Sequence, residues 1–402
     1  MTPECCRIGL RPDNDVMDNL HDFKAIAPFD DSQFGEKMSL LVKEPGFEHA
    51  VRYVMPEVDF SEFVKQLLAI PDKATFQSKI MWPFLEMLAR KTTAGISVGG
   101  ICNVDSEKSF TFISNHRDIV LDASFLNLCF LRAGLPTSEV AIGDNLLIYD
   151  WITDLVKLNK SFVVRRNLKL TKALEAAKEL SAYMHHAIID KHESIWIAQR
   201  EGRAKDSNDL TQESLVKMMA LGGSGSLLEN IAELNLVPVS ISYEYDPNDG
   251  LKAREFLMKR NDPDFKKSPH DDLLSMETGM LQFKGRVHFE IGKCISDEVR
   301  AIPADVDRVE AVRRICSIID HSIHGGYKIY PINYVAADLL GGGALYVEKY
   351  SEADVADLEA HIKDKIDAAG IAGMSDDDRE YMRRMILKMY ANPLKNKLAV
   401  AD

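Results

Sequence analysis

Along the first 90 positions, apolar residues recur at three- and four-residue spacing, as in FSEFVKQLLAI and KIMWPFLEMLARKT. That spacing predicts helices interrupted at MPEVD and IPDKA. From about 95 to 295 the period changes. Short β-prone runs, SFTFIS (109–114), EVAIG (139–143), SFVVR (161–165), SIWIAQ (194–199), LVPVSISYEY (236–245) and RVHFEIG (286–292), alternate with helical patterns at about 117–133, 146–159, 171–191 and 211–221. This alternation predicts an α/β fold with a mixed, largely parallel central sheet flanked by helices. After about 305, DRVEAVRRICSIIDHSI, SEADVADLEAHIKDKIDAAG and SDDDREYMRRMILKMY read as amphipathic helices with charged outer faces. The division expected is a helical N-terminal region (1–90), an α/β catalytic domain (91–300) and a C-terminal helical region packing on it (301–402). The stretch 243–272, rich in Asp, Asn, Pro and Lys, is expected to be the mobile connection, and GGG at 341–343 a flexible turn.

Composition narrows the function classes. A chain of 402 residues with 46% hydrophobic content can bury a sizeable core. Its 49 Lys+Arg against 62 Asp+Glu give a formal charge of -13, a field that repels polyanions, so nucleic acid is not an expected partner. Cys5-Cys6 and the scattered Cys102, Cys129, Cys294 and Cys316 form neither a metal-ligand pair nor a disulfide framework, which fits a reducing compartment. MTPECCRIGLRPDNDVMDNL lacks the basic start and apolar block of a leader, and no run of about 18 apolar residues occurs. A cytoplasmic location is expected.

Polar residues collect where the strands end. SFTFIS runs into Asn115-His116-Arg117-Asp118, SFVV into Arg165-Arg166, SIWIAQ into Arg200-Glu201-Gly202-Arg203-Ala204-Lys205, and VPVSIS into Tyr243-Glu244. Ligands of open α/β sheets gather at such carboxyl ends. A neutral histidine there can take a proton from an alcohol, and a nearby carboxylate fixes its tautomer and steadies the imidazolium. Asp118 and Asp122 both offer that carboxylate. Asp122 is preferred, because an acid amid IVL and ASFLNL is costly to bury without a partner, whereas Asp118 can cap the following helix. Arginines on the second and third loops present planar forks that suit a dianionic phosphate. No G-x-S-x-G elbow occurs, which favours direct transfer without a covalent enzyme intermediate. A kinase reading of HRD fails, since the position five after Asp118 is Ala123 and no D-F-G follows. His185, His186, His192, His321 and His324 have no acid or thiol array at ligand spacing, so they read as surface histidines and no metal is expected.

Taken in order, NHRDIVLD, SFVVRRN, IAQREGRAKD and VPVSISYE resemble the four sequence blocks of the glycerolipid acyltransferase family, which includes glycerol-3-phosphate and lysophosphatidate acyltransferases. The Tyr-Glu ending of the fourth block is similar to the glycerol-3-phosphate branch. Five residues separate His116 from Asp122, one more than the family pattern, and the third block lacks one residue between Gly202 and Arg203. The resemblance implies that His116, paired with Asp122, deprotonates an acceptor hydroxyl that attacks the thioester of acyl-CoA or acyl-carrier protein. It further implies substrate binding by Arg117, Arg165, Arg166, Arg203 and Lys205, with Glu201 and Gly202 shaping the pocket, and requires no cofactor. Glycerol 3-phosphate is the expected acceptor. Lysophosphatidate or an amino-acid-derived lyso-lipid are alternatives, and a non-catalytic lipid-binding module of the same fold is the rival class. KLNKSFVVRRNLKLTK (157–172) would give an acidic carrier protein a basic landing site through Lys157, Lys160, Arg165, Arg166, Lys169 and Lys172. A greasy product and apolar residues near the first block, such as Phe125, Leu126 and Phe130, motivate peripheral membrane contact, although such residues are more often core.

Overall fold

The computed structural model describes residues 23–401. Cys5, Cys6 and the stretch read for a leader lie outside them. Strands β1 (Gly95–Gly99), β2 (Thr111–Ser114), β3 (Glu139–Gly143), β4 (Ser161–Val164), β5 (Ile195–Ala198), β6 (Leu236–Tyr243) and β7 (Arg286–Ile291) form one sheet in the order β1-β7-β6-β2-β5-β3-β4. From β6 to β4 every pairing is parallel; β7 runs antiparallel to β6 and carries β1 parallel to itself. The fold is therefore α/β with a mixed, mostly parallel sheet, and β2, which leads into His116, lies at its centre.

Ahead of the sheet come α1 (Asp31–Leu41), α2 (Pro45–Val54), α3 (Phe60–Leu68), the single turn α4 (Lys73–Phe76) and α5 (Trp82–Thr92). Within the sheet region lie α6 (Leu121–Arg132), α7 (Asp150–Leu158), α8 (Leu170–His185), α9 (Glu213–Met219), α10 (Leu227–Glu233), α11 (Asp249–Asn261), α12 (Pro269–Leu281) and α13 (Ser296–Arg300). The chain closes with α14 (Arg308–Gly326), α15 (Pro331–Gly341), α16 (Glu352–Asp367) and α17 (Asp376–Leu398).

Strand alternation divides the central apolar residues between two layers. Ile113, Ile195 and Ile197 face α8, α9 and α14, while Phe112, Trp196, Val237 and Ile241 face α5 and α6. Residues of α14 such as Ile315, Ile319 and Ile323 thus belong to the core beneath the sheet, and it is α15 to α17 that form a separate core with Ala253 and Leu257 of α11. A fourth cluster joins Phe34, Met38, Phe47 and Phe76 of the N-terminal helices to Leu158 of α7.

Several expectations are corrected. The stretch 243–272 is not a loose connection: α11 fills its middle, and Asp246, Asn248, Asp249 and Lys252 are buried there. GGG at 341–343 is a turn as expected, and it closes α15, with Gly342 in the left-handed conformation at its C-cap (φ 64°), which glycine adopts without steric cost. Phe125, Leu126 and Phe130 are wholly buried in the sheet's core and cannot meet a membrane. His185 and His324 are also buried, their Nε2 atoms 2.9 Å from the Met219 carbonyl and 2.6 Å from the Asp209 carbonyl. Strand β1 lacked a β-prone run, because GISVG is bounded by glycines and gains its order by pairing with β7. No helix among the described residues is long and apolar enough to cross a membrane.

Candidate functional site

The loop leaving β2 is fixed by its own side chains. Asn115 is fully buried, and its amide bridges to β6, donating to the Ile241 carbonyl (2.9 Å) and accepting from the Ile241 N–H (2.8 Å). It extends the ladder by one side chain. His116 follows, and its Nδ1 lies 2.7 Å from Asp122 Oδ2 in the first turn of α6. The same oxygen accepts the backbone N–H groups of Arg117 (2.6 Å) and Asp118 (3.0 Å), which offset the desolvation of a wholly buried carboxylate. Asp118 does different work: its Oδ1 accepts the N–H groups of Val120 (2.9 Å) and Leu121 (2.7 Å), satisfying donors at the start of α6. Burial, and next the charge of Asp122, push the Asp118 carboxyl above its usual range.

The imidazole rests on Trp196 of β5 with ring centroids 5.5 Å apart, and the indole N–H donates to Ser114 Oγ (3.0 Å). With Nδ1 directed to Asp122, Nε2 has no protein partner among the described residues. Burial, then the charges of Asp122 and Asp118, hold the Tyr243 phenol well above its ordinary pKa. Behind the pair, Lys284 is fully buried, donates to the Gln282 carbonyl (2.6 Å), and is pushed down to about 8 by burial, an effect the charge of Asp118 opposes.

His116 lines a cavity of about 1060 Å³. Phe47, Val51, Phe63, Leu155 and Met280 represent its apolar wall, and Arg165, Arg166, Arg200, Glu201 and Gly202 add a polar part. The wall draws on α1 to α3 of the N-terminal region as well as on the sheet region. This volume is at the upper end of small-molecule sites, roughly 300–1,000 Å³. Gly202 has φ 67°, a left-handed turn that sends the chain away from β5.

The remaining sequence candidates separate. Arg165 lines the cavity with an ion pair to Glu179 (3.1 Å), and Arg166 has a guanidinium nitrogen 4.0 Å from Glu201. Arg117 does not line it. Its buried guanidinium grips Asp209 at 2.7 and 3.0 Å, Tyr327 donates to the same carboxylate (2.5 Å), and Asp209 keeps Arg117 charged despite burial. Contrary to expectation, the Arg117 side chain does not reach the cavity: side chains alternate across a strand end, and His116 and Arg117 leave on opposite faces. Lys205 is committed to Glu255, and Arg203 lies outside the cavity wall, near enough to Asp118 for its charge to act there. The proposed basic landing strip is likewise interrupted, since Lys157 donates to the Lys24 carbonyl (3.0 Å) and Lys160 pairs with Glu193 (2.8 Å), both buried.

In the sequence Arg200 is only one member of a strand-end loop, yet it stands two residues beyond β5 as His116 stands two beyond β2. A second hydrogen-bonded chain, Ser97 Oγ to His288 Nδ1 (2.8 Å) and His288 Nε2 to Glu290 Oε2 (3.1 Å), spans the β1–β7 edge, but none of its members lines the cavity. Among the described residues no three His, Cys, Asp or Glu side chains gather as a metal site. Cys102, Cys129, Cys294 and Cys316 are unpaired.

No protein-family model matches the chain, and no curated protein does. Among solved structures it is similar to the 1-acyl-sn-glycerophosphate (LPA) acyltransferase, PlsC, from Thermotoga maritima, at 11% identity and a TM-score of 0.36, covering 72% of this chain and 95% of that chain.

Proposed function

We propose that the chain is an O-acyltransferase that moves a fatty acyl group from an acyl-CoA or acyl-carrier-protein thioester to the hydroxyl of glycerol 3-phosphate. The observation that carries this reading is the His116–Asp122 pair set into the wall of a large, mainly apolar cavity that also holds arginines. An ion-paired imidazole alone is common in proteins. One whose free nitrogen shares a cavity with guanidinium groups and room for a hydrocarbon chain fits this chemistry, and the four ordered sequence blocks suggest the same class.

In the reaction, the acceptor hydroxyl gives its proton to His116 Nε2 as its oxygen bonds to the thioester carbonyl carbon. Asp122, bonded to Nδ1, steadies the imidazolium. The tetrahedral adduct then expels sulfur. As the C–S bond breaks, the thiolate takes the proton from Nε2, leaving ester and free thiol. Arg165 and Arg166 attract the acceptor's phosphate, and the apolar wall takes the acyl chain at about 0.8 kcal/mol per buried methylene. Lysophosphatidate or an amino-acid-derived lyso-lipid would use the same atoms.

Thiol release by the purified protein, supplied with a long-chain acyl-CoA and each acceptor in turn, tests the reading. Acceptor-dependent release is expected, reduced about 10²–10⁴-fold by His116→Ala. Wild-type release no faster than that of the variant would leave only a lipid-binding module.

A further inference from the structure

We propose that Arg200 is the specificity-determining residue that makes the site select an anionic acceptor. The inference rests on the acyltransferase reading and deepens it. Strands β2 and β5 are parallel with Ser114 opposite Ala198, and the Gln199 N–H donates to the Ser114 carbonyl (2.8 Å), so the ladder continues past the last paired residues. Continued two positions past the last paired residues, that register sets His116 opposite Arg200. Both belong to the face that carries Trp196 and Phe112, because side chains return to the same face every second residue. Both line the cavity. An acceptor whose hydroxyl reaches His116 thus brings its nearby substituents to Arg200.

Among the arginines that line the cavity, electrostatics single out the same residue; Arg203, whose Nη1 is likewise buried without an acceptor, lies outside the wall. Three arginines line the cavity. Arg165 already faces Glu179 at 3.1 Å and Arg166 faces Glu201 at 4.0 Å, so each has part of its field neutralised. Arg200 has no ion pair among the described residues, and its Nε is buried without a hydrogen-bond acceptor. A guanidinium with a desolvated, unanswered N–H is completed by a ligand that brings oxygen acceptors, and phosphate matches its fork in two places. The turn at Gly202, with φ 67°, carries the following basic residues off the cavity: Arg203 does not line it, and Lys205 is taken by Glu255. Arg200 is what the third loop leaves to the acceptor.

The test compares wild type with Arg200→Gln and Arg200→Lys in two measurements. In the first, kcat/KM is determined for glycerol 3-phosphate and for glycerol as the neutral acceptor. The ratio of the two is expected to fall at least tenfold in Arg200→Gln, mainly through KM for glycerol 3-phosphate, and to recover in part in Arg200→Lys, which restores charge without the fork. An unchanged ratio would overturn the proposal. In the second, glycerol 3-phosphate is titrated calorimetrically into each protein without donor, and Arg200→Gln is expected to bind at least tenfold more weakly. If the wild type releases no thiol with any acceptor, the catalytic reading fails by itself. The titration then decides on Arg200: equal affinities, or no binding by the wild type, would overturn its role.

Discussion

His116 and Arg117 are neighbours in the chain and serve opposite faces of the sheet. The first lines the cavity; the second is locked beneath, where Asp209 takes both guanidinium bonds and Tyr327 and His324 hold Asp209 in turn. The lock also reaches the loop that carries the imidazole, because the Arg117 N–H donates to Asp122 and its carbonyl accepts from Lys252 (3.3 Å). Arg117→Met would leave Asp209 buried with its main counter-charge gone. Breaking such a pair costs about 3–5 kcal/mol, so urea unfolding should shift by that order. Whatever enzyme remains folded should keep the wild-type KM for an anionic acceptor. A raised KM without a stability loss would return Arg117 to the substrate site. The sequence made the pair His116–Asp122 readable, since a carboxylate inside an apolar helix start needs a partner, and geometry supplies one. It could not separate Arg117 from Arg200, because the choice depends on strand parity and on which acids stand nearby, and Asp209 is 92 positions away.

At the scale of elements, six of the strands announced themselves by β-branched and aromatic runs, whereas β1 and α15 are stabilised chiefly by what they pack on. The polar richness of 243–272 suggested a loop for a related reason: its acids and amides are satisfied internally, as where Asp246 accepts from Lys252 and Asn248, a pairing no local pattern reveals. Helix α8 illustrates how elements share the cavity. Ala173, Ala176 and Ala177 of its first half line the wall, where small side chains leave room. Ala177→Phe would occupy part of that room. Each methylene displaced from an acyl chain forfeits about 0.8 kcal/mol, or roughly fourfold in kcat/KM. The variant should therefore discriminate against long-chain acyl-CoA while short-chain donors react as before. A donor-length series by thiol release checks this; a uniform loss across lengths would mean that α8 does not border the acyl chain.

Across the molecule, the cavity is a joint product: its polar wall comes from the strand ends and much of its apolar wall from α1 to α3, so the motif-bearing stretch alone does not enclose it. The C-terminal helices are joined to α11 by another buried charge. Asp249, at the start of α11, is wholly buried and accepts from Tyr390 of α17 (2.7 Å), while His361 Nε2 of α16 lies 2.6 Å away and Lys365 Nζ 3.9 Å away. Burial alone would raise this carboxyl, but the hydrogen bond and charge of His361, with Lys365 and Tyr390 behind them, outweigh it and hold the group below its ordinary value. A carboxyl lowered in the folded state binds its proton more readily when unfolded. Its contribution is therefore present above the ordinary carboxylate pKa of about 4 and is lost as the pH falls through the folded value. Asp249→Asn should cost about 1.5–3 kcal/mol at pH 7, the order of a hydrogen bond to a charged group, by removing the buried carboxylate that Tyr390, His361 and Lys365 surround. The gap between wild type and variant should narrow below about pH 4, as the wild type loses what the variant never had. Chemical unfolding of both proteins from pH 7 to pH 3 reads that gap directly. A gap that stayed constant over the whole range would show that Asp249 holds α16 and α17 by shape and hydrogen bonding, with no share from its charge.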